Sequence, residues 1–275
     1  MAGLGINKKP VPRPPRVLAV ANQKGGVGKT TTAINLATAM VAVDMKVLII
    51  DLDPQGNAST GLGIPRIGRE LDSYAVISGT ASMAEATLES SVPGLSIIPS
   101  SAHLSGAEIE LVTIDKREYR LCHPMERHLE GAGAEYDYIL IDCPPSLGLL
   151  TLNAFVAADA VLVPLQCEFY ALEGLSMLLK TVERVRRAFN PDLEIQGVVL
   201  TMFDRRNNLS EQVAADVREH LGDKVYETVI PRNVRVSESP SHGLPVLIYD
   251  MCCAGAQAYI HLAGEVIKRE RSLAA

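Results

Sequence analysis

The chain has 275 residues, a formal net charge of −6 at pH 7, 47% hydrophobic residues and 21% charged residues. This length is enough for a large α/β domain with a well-buried core, and the composition is ordinary for a globular protein. Tryptophan is absent and aromatic residues make up only 4% of the chain, so the core must be aliphatic. Because the net charge is negative, nucleic-acid binding would need a local basic patch.

Three features bear on the cellular compartment. The five cysteines include no C-x-x-C pair, and their odd number argues against a disulfide framework. No apolar run reaches the roughly 18 residues that span a bilayer, and the N-terminus lacks the apolar core of a secretory signal. We therefore predict a cytoplasmic protein with reduced thiols and expect no membrane association.

Residues 1–15 carry four prolines together with Lys8, Lys9 and Arg13, a composition typical of a disordered basic tail. From residue 16 onward, short aliphatic runs alternate with helical periodicity, which predicts one domain over residues 16–275. Strands are predicted at 16–22, 46–53, 94–99, 136–142, 159–165 and 194–203. Helices are predicted at 30–43, 104–130 with a break near Pro124, 147–157, 171–189, 209–221 and 255–271.

The predicted strands are nearly continuous in Val, Leu and Ile, as expected for parallel strands that are covered on both faces. Repeated strand–helix units with right-handed crossovers build an α/β fold, a doubly wound and mostly parallel sheet flanked by helices. Ligands of such sheets bind at the carboxyl ends of the strands. The loops that follow the strands are therefore the places to search for functional residues.

The segment KGGVGKTT, at residues 24–31, follows the first strand and predicts a phosphate-binding loop. Its three glycines permit the dihedral angles and the close backbone approach that a polyphosphate cradle needs. The next helix directs its N-terminal N–H groups at the anion. Lys29 can neutralise the β and γ phosphates, and the Thr30 hydroxyl can bind Mg²⁺. This arrangement indicates a P-loop.

The match to the standard P-loop pattern is incomplete, because Gln23 occupies the position of its first glycine. A dinucleotide-binding turn is the alternative, but its third glycine or alanine is replaced by Thr31. The Gly-Lys-Thr sequence between a strand and a helix favours the P-loop.

Two predicted strands end in aspartates that could serve the phosphate site. Asp51 and Asp53 lie at the end of the second strand, in KVLIIDLDPQGNAST, and Asp142 ends the strand in YDYILIDCPPSLG. A carboxylate at such a position can hold Mg²⁺ through a water and sense the γ-phosphate. Capping of the following turns is the alternative role of these aspartates.

With its additional lysine at the start, KGGVGKTT resembles the deviant Walker A box of the ParA/MinD ATPases. DLDPQGN and DCPPSLG resemble the second and third signatures of that family. The resemblance implies a P-loop NTPase fold, with ATP and Mg²⁺ as cofactors. It also implies that ATP is bound by the whole loop, which consists of Lys24, Gly25, Gly26, Val27, Gly28, Lys29, Thr30 and Thr31.

By the same resemblance, Lys24 reaches across a nucleotide-sandwich homodimer to the phosphates that the partner subunit binds. Asp53 positions or polarises the attacking water, Asp142 and Thr30 support Mg²⁺, and Asp51 acts indirectly. The expected catalytic set is Lys24, Lys29, Asp53 and Asp142. Because none of these side chains is an obvious strong general base, we expect slow Mg-dependent ATP hydrolysis.

Two later segments, LTMFDRRNNLSEQV at 200–213 and VIPRNVRVSESPSHGLPVLIYD at 229–250, resemble chromosomal ParA or Soj proteins. The resemblance places Pro231 and Asn233 beside the adenine. It implies DNA segregation as the function, with a closed dimer on non-specific double-stranded DNA, a nucleoid-associated location and a ParB-type centromere-binding partner that stimulates hydrolysis. The expected DNA contacts are Arg205, Arg206, Arg232 and Arg235, which Lys180, Arg184 and Arg187 could extend.

Two alternatives stay open from the sequence. A MinD-like positioning ATPase would use a C-terminal amphipathic helix at the membrane surface, and Tyr259, Leu262 and Val266 do follow helical spacing. Packing of this stripe on the sheet is the simpler explanation. An iron–sulfur carrier would need converging thiolates, and Cys143 with the adjacent Cys252 and Cys253 offers a poor spacing for them.

Overall fold

The computed structural model describes residues 14–273, and the side chains up to residue 270. The strands in this part of the chain are β1 Arg16–Val20, β2 Val47–Asp51, β3 Leu88–Glu89, β4 Leu95–Ile98, β5 Tyr138–Asp142, β6 Ala160–Gln166, β7 Glu194–Phe203 and β8 Val225–Pro231. They form one sheet in the order β3-β4-β2-β5-β1-β6-β7-β8. Every neighbouring pair is parallel except β3 with β4.

The helices of the same region flank this sheet. They are α1 Lys29–Val41, α2 Asn57–Gly61, α3 Ser73–Ser78, α4 Met83–Ala86, α5 Leu104–Glu110, α6 Cys122–Leu129, α7 Leu149–Ala157, α8 Ala171–Ala188, α9 Asn208–Leu221, α10 Val234–Glu238, α11 Val246–Tyr249 and α12 Ala254–Leu273. Short 3₁₀ turns join several of them. The predicted doubly wound, mostly parallel α/β sheet is confirmed.

The sheet divides the core into two aliphatic clusters, one on each face. In β1, Val17 and Ala19 pack into the first cluster, whereas Leu18 and Val20 pack into the second. This alternation follows from the two-residue period of a strand. Helices α7, α8 and α9 cover the first cluster, and α1, α11 and α12 cover the second. The central strands are therefore buried on both faces, as their continuous apolar composition predicts.

All six predicted strands are present, and the boundaries predicted for β7 are those observed. The predicted helix over 104–130 is interrupted as expected, but the prediction that the break lies near Pro124 was wrong. Residues 111–121 form 3₁₀ turns and loops between α5 and α6, and Pro124 lies in the first turn of α6. Proline is tolerated there because the N–H groups of a first turn have no partner within the helix.

The packing of helix α12 shows what the C-terminal apolar stripe contacts. Tyr259, Leu262 and Val266 are at most 1% exposed, and they pack in the second cluster against α1 and the sheet. The stripe is thus part of the core, as the simpler explanation of its spacing predicts. In residues 14–273, no helix is long and apolar enough to cross a bilayer. The predicted tail, residues 1–15, lies outside the described residues except for its last two prolines.

Candidate functional site

The loop between β1 and α1 has the geometry of an anion cradle. Gly26 and Gly28 adopt φ angles of 74° and 86°, in the left-handed region that favours glycine. Helix α1 begins directly after Gly28, and the Thr201 hydroxyl at the end of β7 donates to the Val27 carbonyl at 2.8 Å. At the start of the loop, the Asn22 side chain accepts from the Lys24 N–H at 3.0 Å and donates to the Pro164 carbonyl at 2.7 Å. The loop is therefore held by contacts with β6 and β7.

Lys29 is the first residue of α1, and it lies inside this cradle with 6% exposure. Its ammonium donates to the Lys24 carbonyl at 3.1 Å, so the loop curls around it. Burial lowers the pKa of Lys29, and the charges of Asp142 and Asp53 oppose this shift. A buried cation at the N-terminus of a helix is suited to receive a phosphate.

Asp142 and Asp51 lie side by side at the carboxyl ends of β5 and β2, where they are paired in the strand register and fully buried. Burial raises the pKa of Asp142 well above its usual range, and the charge of Asp51 raises it further, while Thr30 and Lys29 act in the opposite direction. Neither carboxylate oxygen of Asp142 accepts a hydrogen bond of normal geometry from the described residues. A cation bound next to Asp142 would favour the ionised form of this buried acid.

The two acids differ in their partners. Asp51 accepts hydrogen bonds from the Ser59 N–H at 2.8 Å and from the Ser59 hydroxyl at 2.6 Å. Burial raises the pKa of Asp51 to about 6, and these hydrogen bonds limit the rise. The carboxylate of Asp51 thus anchors α2, and its indirect role at the phosphate site stays a prediction.

Asp53 is 7% exposed, and its charge acts on Lys29, Asp51 and Asp142, which places it at the same strand ends. One of its oxygens accepts from the Gln55 N–H at 2.9 Å and closes the turn that follows β2. The turn-capping role considered for Asp53 is therefore present in this structure. It occupies one carboxylate oxygen and is compatible with a second role toward a nucleotide.

Lys24 points outward, with its side chain 42% exposed. Its ammonium forms an ion pair with Glu168, in the loop between β6 and α8. Phe169 and Tyr170 follow in that loop, 74% and 67% exposed, and their rings pack edge to face. Sequence reasoning missed Glu168, because nothing in the spacing of residues 24 and 168 indicates that they meet.

Arg69 is a second residue that sequence reasoning missed. Only 7% exposed, its guanidinium donates to the carbonyls of Gly56, Pro65, Ile64 and Ser100 and to the Thr60 hydroxyl. Gly56 has a φ of 62°, and a side chain there would lie 2.6 Å from Arg69. Arg69 thereby holds the segment after Asp53 in one conformation.

Replacing Arg69 with alanine is expected to lower the free energy of unfolding by about 2–4 kcal/mol, since several buried carbonyls lose a charged donor at once. Arg69→Lys is expected to recover less than half of this loss, because one ammonium cannot reach acceptors arranged around a planar fork. Urea denaturation measures both variants, with exposed Arg66→Ala as the control. If Arg69→Lys had the same free energy of unfolding as the wild type, the positive charge alone, and not the shape of the guanidinium, would account for the stabilisation.

A cavity of about 680 Å³ opens at the carboxyl ends of β7 and β8. Pro231 lines it, together with three of the arginines predicted to contact DNA, which are Arg205, Arg206 and Arg232. The Asn233 side chain does not line it, since it caps α10 by accepting from the N–H groups of Arg235 and Val236. Residues predicted for two different ligands thus share one cavity.

The predicted basic surface is partly neutralised by neighbouring acids. Arg206 pairs with Asp204 at 2.9 Å, and Arg235 pairs with Glu238 at 3.1 Å and with Asp250 at 3.5 Å. On α8, Lys180, Arg184 and Arg187 are exposed, and Arg187 pairs with Glu183 at 2.9 Å. The side chains of Arg206, Arg235 and Arg187 nevertheless remain 89%, 53% and 77% exposed.

The residues at the strand ends fit a magnesium ion better than a metal cluster. Mg²⁺ takes few protein ligands and prefers hydroxyl and carboxylate oxygens, which Thr30 and Asp142 supply. Within residues 14–270, no group of three or more His, Cys, Asp or Glu could hold a metal ion by itself. Cys143 packs in the first core cluster and Cys253 against the second, so the cysteines of the iron–sulfur alternative lie on opposite faces of the sheet.

The sheet is doubly wound and mostly parallel, and its central strand β1 leads into a glycine-rich loop that encloses Lys29. Helix α1 follows this loop. Such an arrangement defines a P-loop nucleotide-binding protein. Comparison with known proteins agrees: a family model for the AAA domain matches residues 15–195. The chromosome partitioning protein ParA of Caulobacter vibrioides is 64% identical over 258 residues, which are 94% of this chain and 96% of that protein. The sporulation initiation inhibitor protein Soj of Bacillus subtilis is 51% identical over 91% of this chain and 98% of its own length.

Solved structures share the fold of this chain. Two crystal structures of a cobyrinic acid a,c-diamide synthase from Mycobacterium smegmatis align with a TM-score of 0.81 and 36% identity, over 94% of this chain and 96% of that one. One holds ADP and magnesium, and the other holds an ATP analogue and magnesium. The chain belongs to the ParA/Soj family of chromosome-partitioning ATPases. The family resemblance stated from the three sequence motifs is thereby confirmed.

Proposed function

We propose that this protein is a slow Mg-dependent ATPase whose nucleotide state switches it on and off DNA during chromosome or plasmid segregation. The observation that carries this proposal is the proximity, at a glycine cradle, of Lys29 to the buried Asp142, whose oxygens accept no hydrogen bond of normal geometry within residues 14–270. Triphosphate and Mg²⁺ would satisfy both groups at once. The nucleotide-bound relatives support ATP and Mg²⁺ as the ligands.

In the proposed cycle, ATP closes two copies face to face, and Lys24 of each copy reaches the phosphates bound by the other. Thr30 and Asp142 would hold Mg²⁺, and the ion would supply positive charge next to the reacting phosphates. Asp53 orients the attacking water. The γ-phosphate thus sets the populations of an open and a closed state, as in other nucleotide switches.

The closed dimer would bind double-stranded DNA through phosphate contacts and without base recognition, which places it on the nucleoid. Hydrolysis would release it, and a ParB-type centromere-binding protein would stimulate hydrolysis. The family membership supports both steps. Burial of the α12 stripe weighs against the MinD-like membrane alternative, because those side chains already pack in the core.

One series of measurements tests the proposal. Light scattering should show a monomer without nucleotide, and a dimer with Mg²⁺ and a non-hydrolysable ATP analogue. Addition of an unrelated DNA duplex should then shift only the dimer to a larger complex. A protein that stays monomeric with the analogue, or that binds DNA equally well without nucleotide, would contradict the switch.

The DNA surface is tested by Arg235→Ala. We expect about three- to tenfold weaker binding to unrelated duplex DNA, and a slope of log affinity against log salt that is shallower by about 0.9, as for the loss of one phosphate contact. Fluorescence anisotropy at several salt concentrations measures both quantities. Arg127→Ala, which changes an exposed arginine on α6, is the matched control. An unchanged affinity in Arg235→Ala would remove this residue from the DNA surface.

A further inference from the structure

A groove of about 500 Å³ lies between α7, α8 and the 3₁₀ turns that follow α5. It is separate from the cradle and from the cavity at β7 and β8. Its walls are mainly apolar, and Val112, at its rim, is 57% exposed. Ile109 and Ile114 of the same segment are also exposed, at 78% and 38%. The large apolar side chains of the lining are Val112, Leu147, Leu149, Leu152, Val185 and Phe189.

The groove contains an acid with one unsatisfied carboxylate oxygen within the described part of the chain. Glu108 lines it, and the Oε1 atom of Glu108 is shielded from solvent without a hydrogen-bond partner among residues 14–270. The other acid of the groove, Glu118, pairs with Arg117 at 3.2 Å, and Arg117 also donates to the Val112 carbonyl. A shielded carboxylate oxygen is costly unless a donor reaches it, and a cation is the strongest donor available.

Glu108 also touches the loop that follows the buried Asp142. A side chain added at Gly148 would lie 2.2 Å from Oε1, so the carboxylate packs directly against the backbone at Gly148. Gly148 caps α7 and ends the loop 143–148, which starts directly after Asp142. A ligand that draws Glu108 toward itself would therefore release a contact on this loop.

We propose that this groove is the docking site of the activating partner, and that its occupant is a short peptide segment with one lysine or arginine between aliphatic residues. The cation pairs with Glu108 and the aliphatic side chains cover the apolar walls. Arg184 also lines the groove, where it would donate to carbonyl groups of the docked segment. The inference rests on the proposed function, because it locates the binding site of the partner that would stimulate ATP hydrolysis.

Two variants of the full-length protein test the charge and the surface. Glu108→Gln keeps the shape of the side chain and removes its charge, and Val112→Lys puts a like charge at an exposed position that folding does not need. With the purified ParB-type protein of the same organism as the probe, both variants are expected to need about tenfold more partner for half-maximal stimulation. Basal ATP hydrolysis of Val112→Lys should equal that of the wild type.

Photo-crosslinking locates the contact independently of activity. A benzophenone amino acid at Val112 is expected to crosslink to a partner segment that contains a lysine or arginine. The same amino acid at Val43, which is equally exposed at 57%, is the control and should give no crosslink. Equal crosslinking at both positions would mean that the groove is not the docking site.

The outcomes separate the two proposals. If the partner stimulates the wild type and both variants equally, the groove is wrong and the proposed function stands. If the partner fails to stimulate the wild type, partner activation itself is wrong, and the groove proposal falls with it. Reduced stimulation in both variants, together with the Val112 crosslink, would support the groove.

Discussion

Replacing Lys29 with alanine is expected to weaken Mg-ATP binding at least about 100-fold, because a triphosphate would then enter the cradle without its buried counter-charge. The fold should survive the change. Burial lowers the pKa of Lys29, so the free protein gains little from holding this ammonium inside the loop. Isothermal titration with Mg-ATP measures the affinity, and thermal unfolding without nucleotide checks the fold.

A matched control for this prediction is Lys46→Ala, which removes an exposed lysine at the opposite, amino-terminal edge of the sheet. Its affinity for Mg-ATP should equal that of the wild type. Micromolar affinity retained by Lys29→Ala would refute the phosphate site itself. Loss of binding in both variants would point to a general effect of charge rather than to the cradle.

Replacing Asp53 with alanine is expected to leave ATP binding within a few fold of the wild type and to slow hydrolysis about 10²- to 10⁴-fold, the range typical of a lost proton-transfer or water-orienting group. The nucleotide would then persist, and the closed dimer with it. Single-turnover hydrolysis and the mass of the complex with Mg-ATP measure the two effects. Normal turnover in this variant would overturn the catalytic role of Asp53.

Asp53→Asn separates catalysis from turn capping. An asparagine can still accept the Gln55 N–H and close the turn, but it lacks the negative charge. If Asp53 acts on the water, Asp53→Asn should be as inactive as Asp53→Ala. If the turn alone matters, Asp53→Asn should hydrolyse ATP nearly as fast as the wild type. Asp115→Ala, at an exposed position far along the chain, serves as the control.

The sequence predicted those parts of the molecule that depend on local patterns. The P-loop, the six aliphatic strands and the burial of Asp142 at a strand end are visible in short segments. Strand β8 was missed because Val225–Pro231 lies at the edge of the sheet, and its exposed Glu227 interrupts the apolar pattern. The break after α5 was misplaced because a proline indicates a boundary and does not say which side of it is helical.

The contacts that complete the site come from distant parts of the chain. Glu168 reaches Lys24 across 144 positions, and Arg69 reaches the Ser100 carbonyl across 31. Met202 adopts a φ of 49° at the end of β7, beside Gly28. None of these features leaves a signal in spacing or composition, since each depends on how the sheet brings loops together.

The ion pair between Lys24 and Glu168 has a consequence for how two copies would meet. A free protomer does not present a bare ammonium, because the lysine already has a carboxylate neighbour. In the proposed dimer, Lys24 exchanges this neighbour for the phosphates on the other subunit. Exposed ion pairs are weak, so the exchange needs little energy in either direction. The contact between the two subunits could therefore open again once the γ-phosphate has been released.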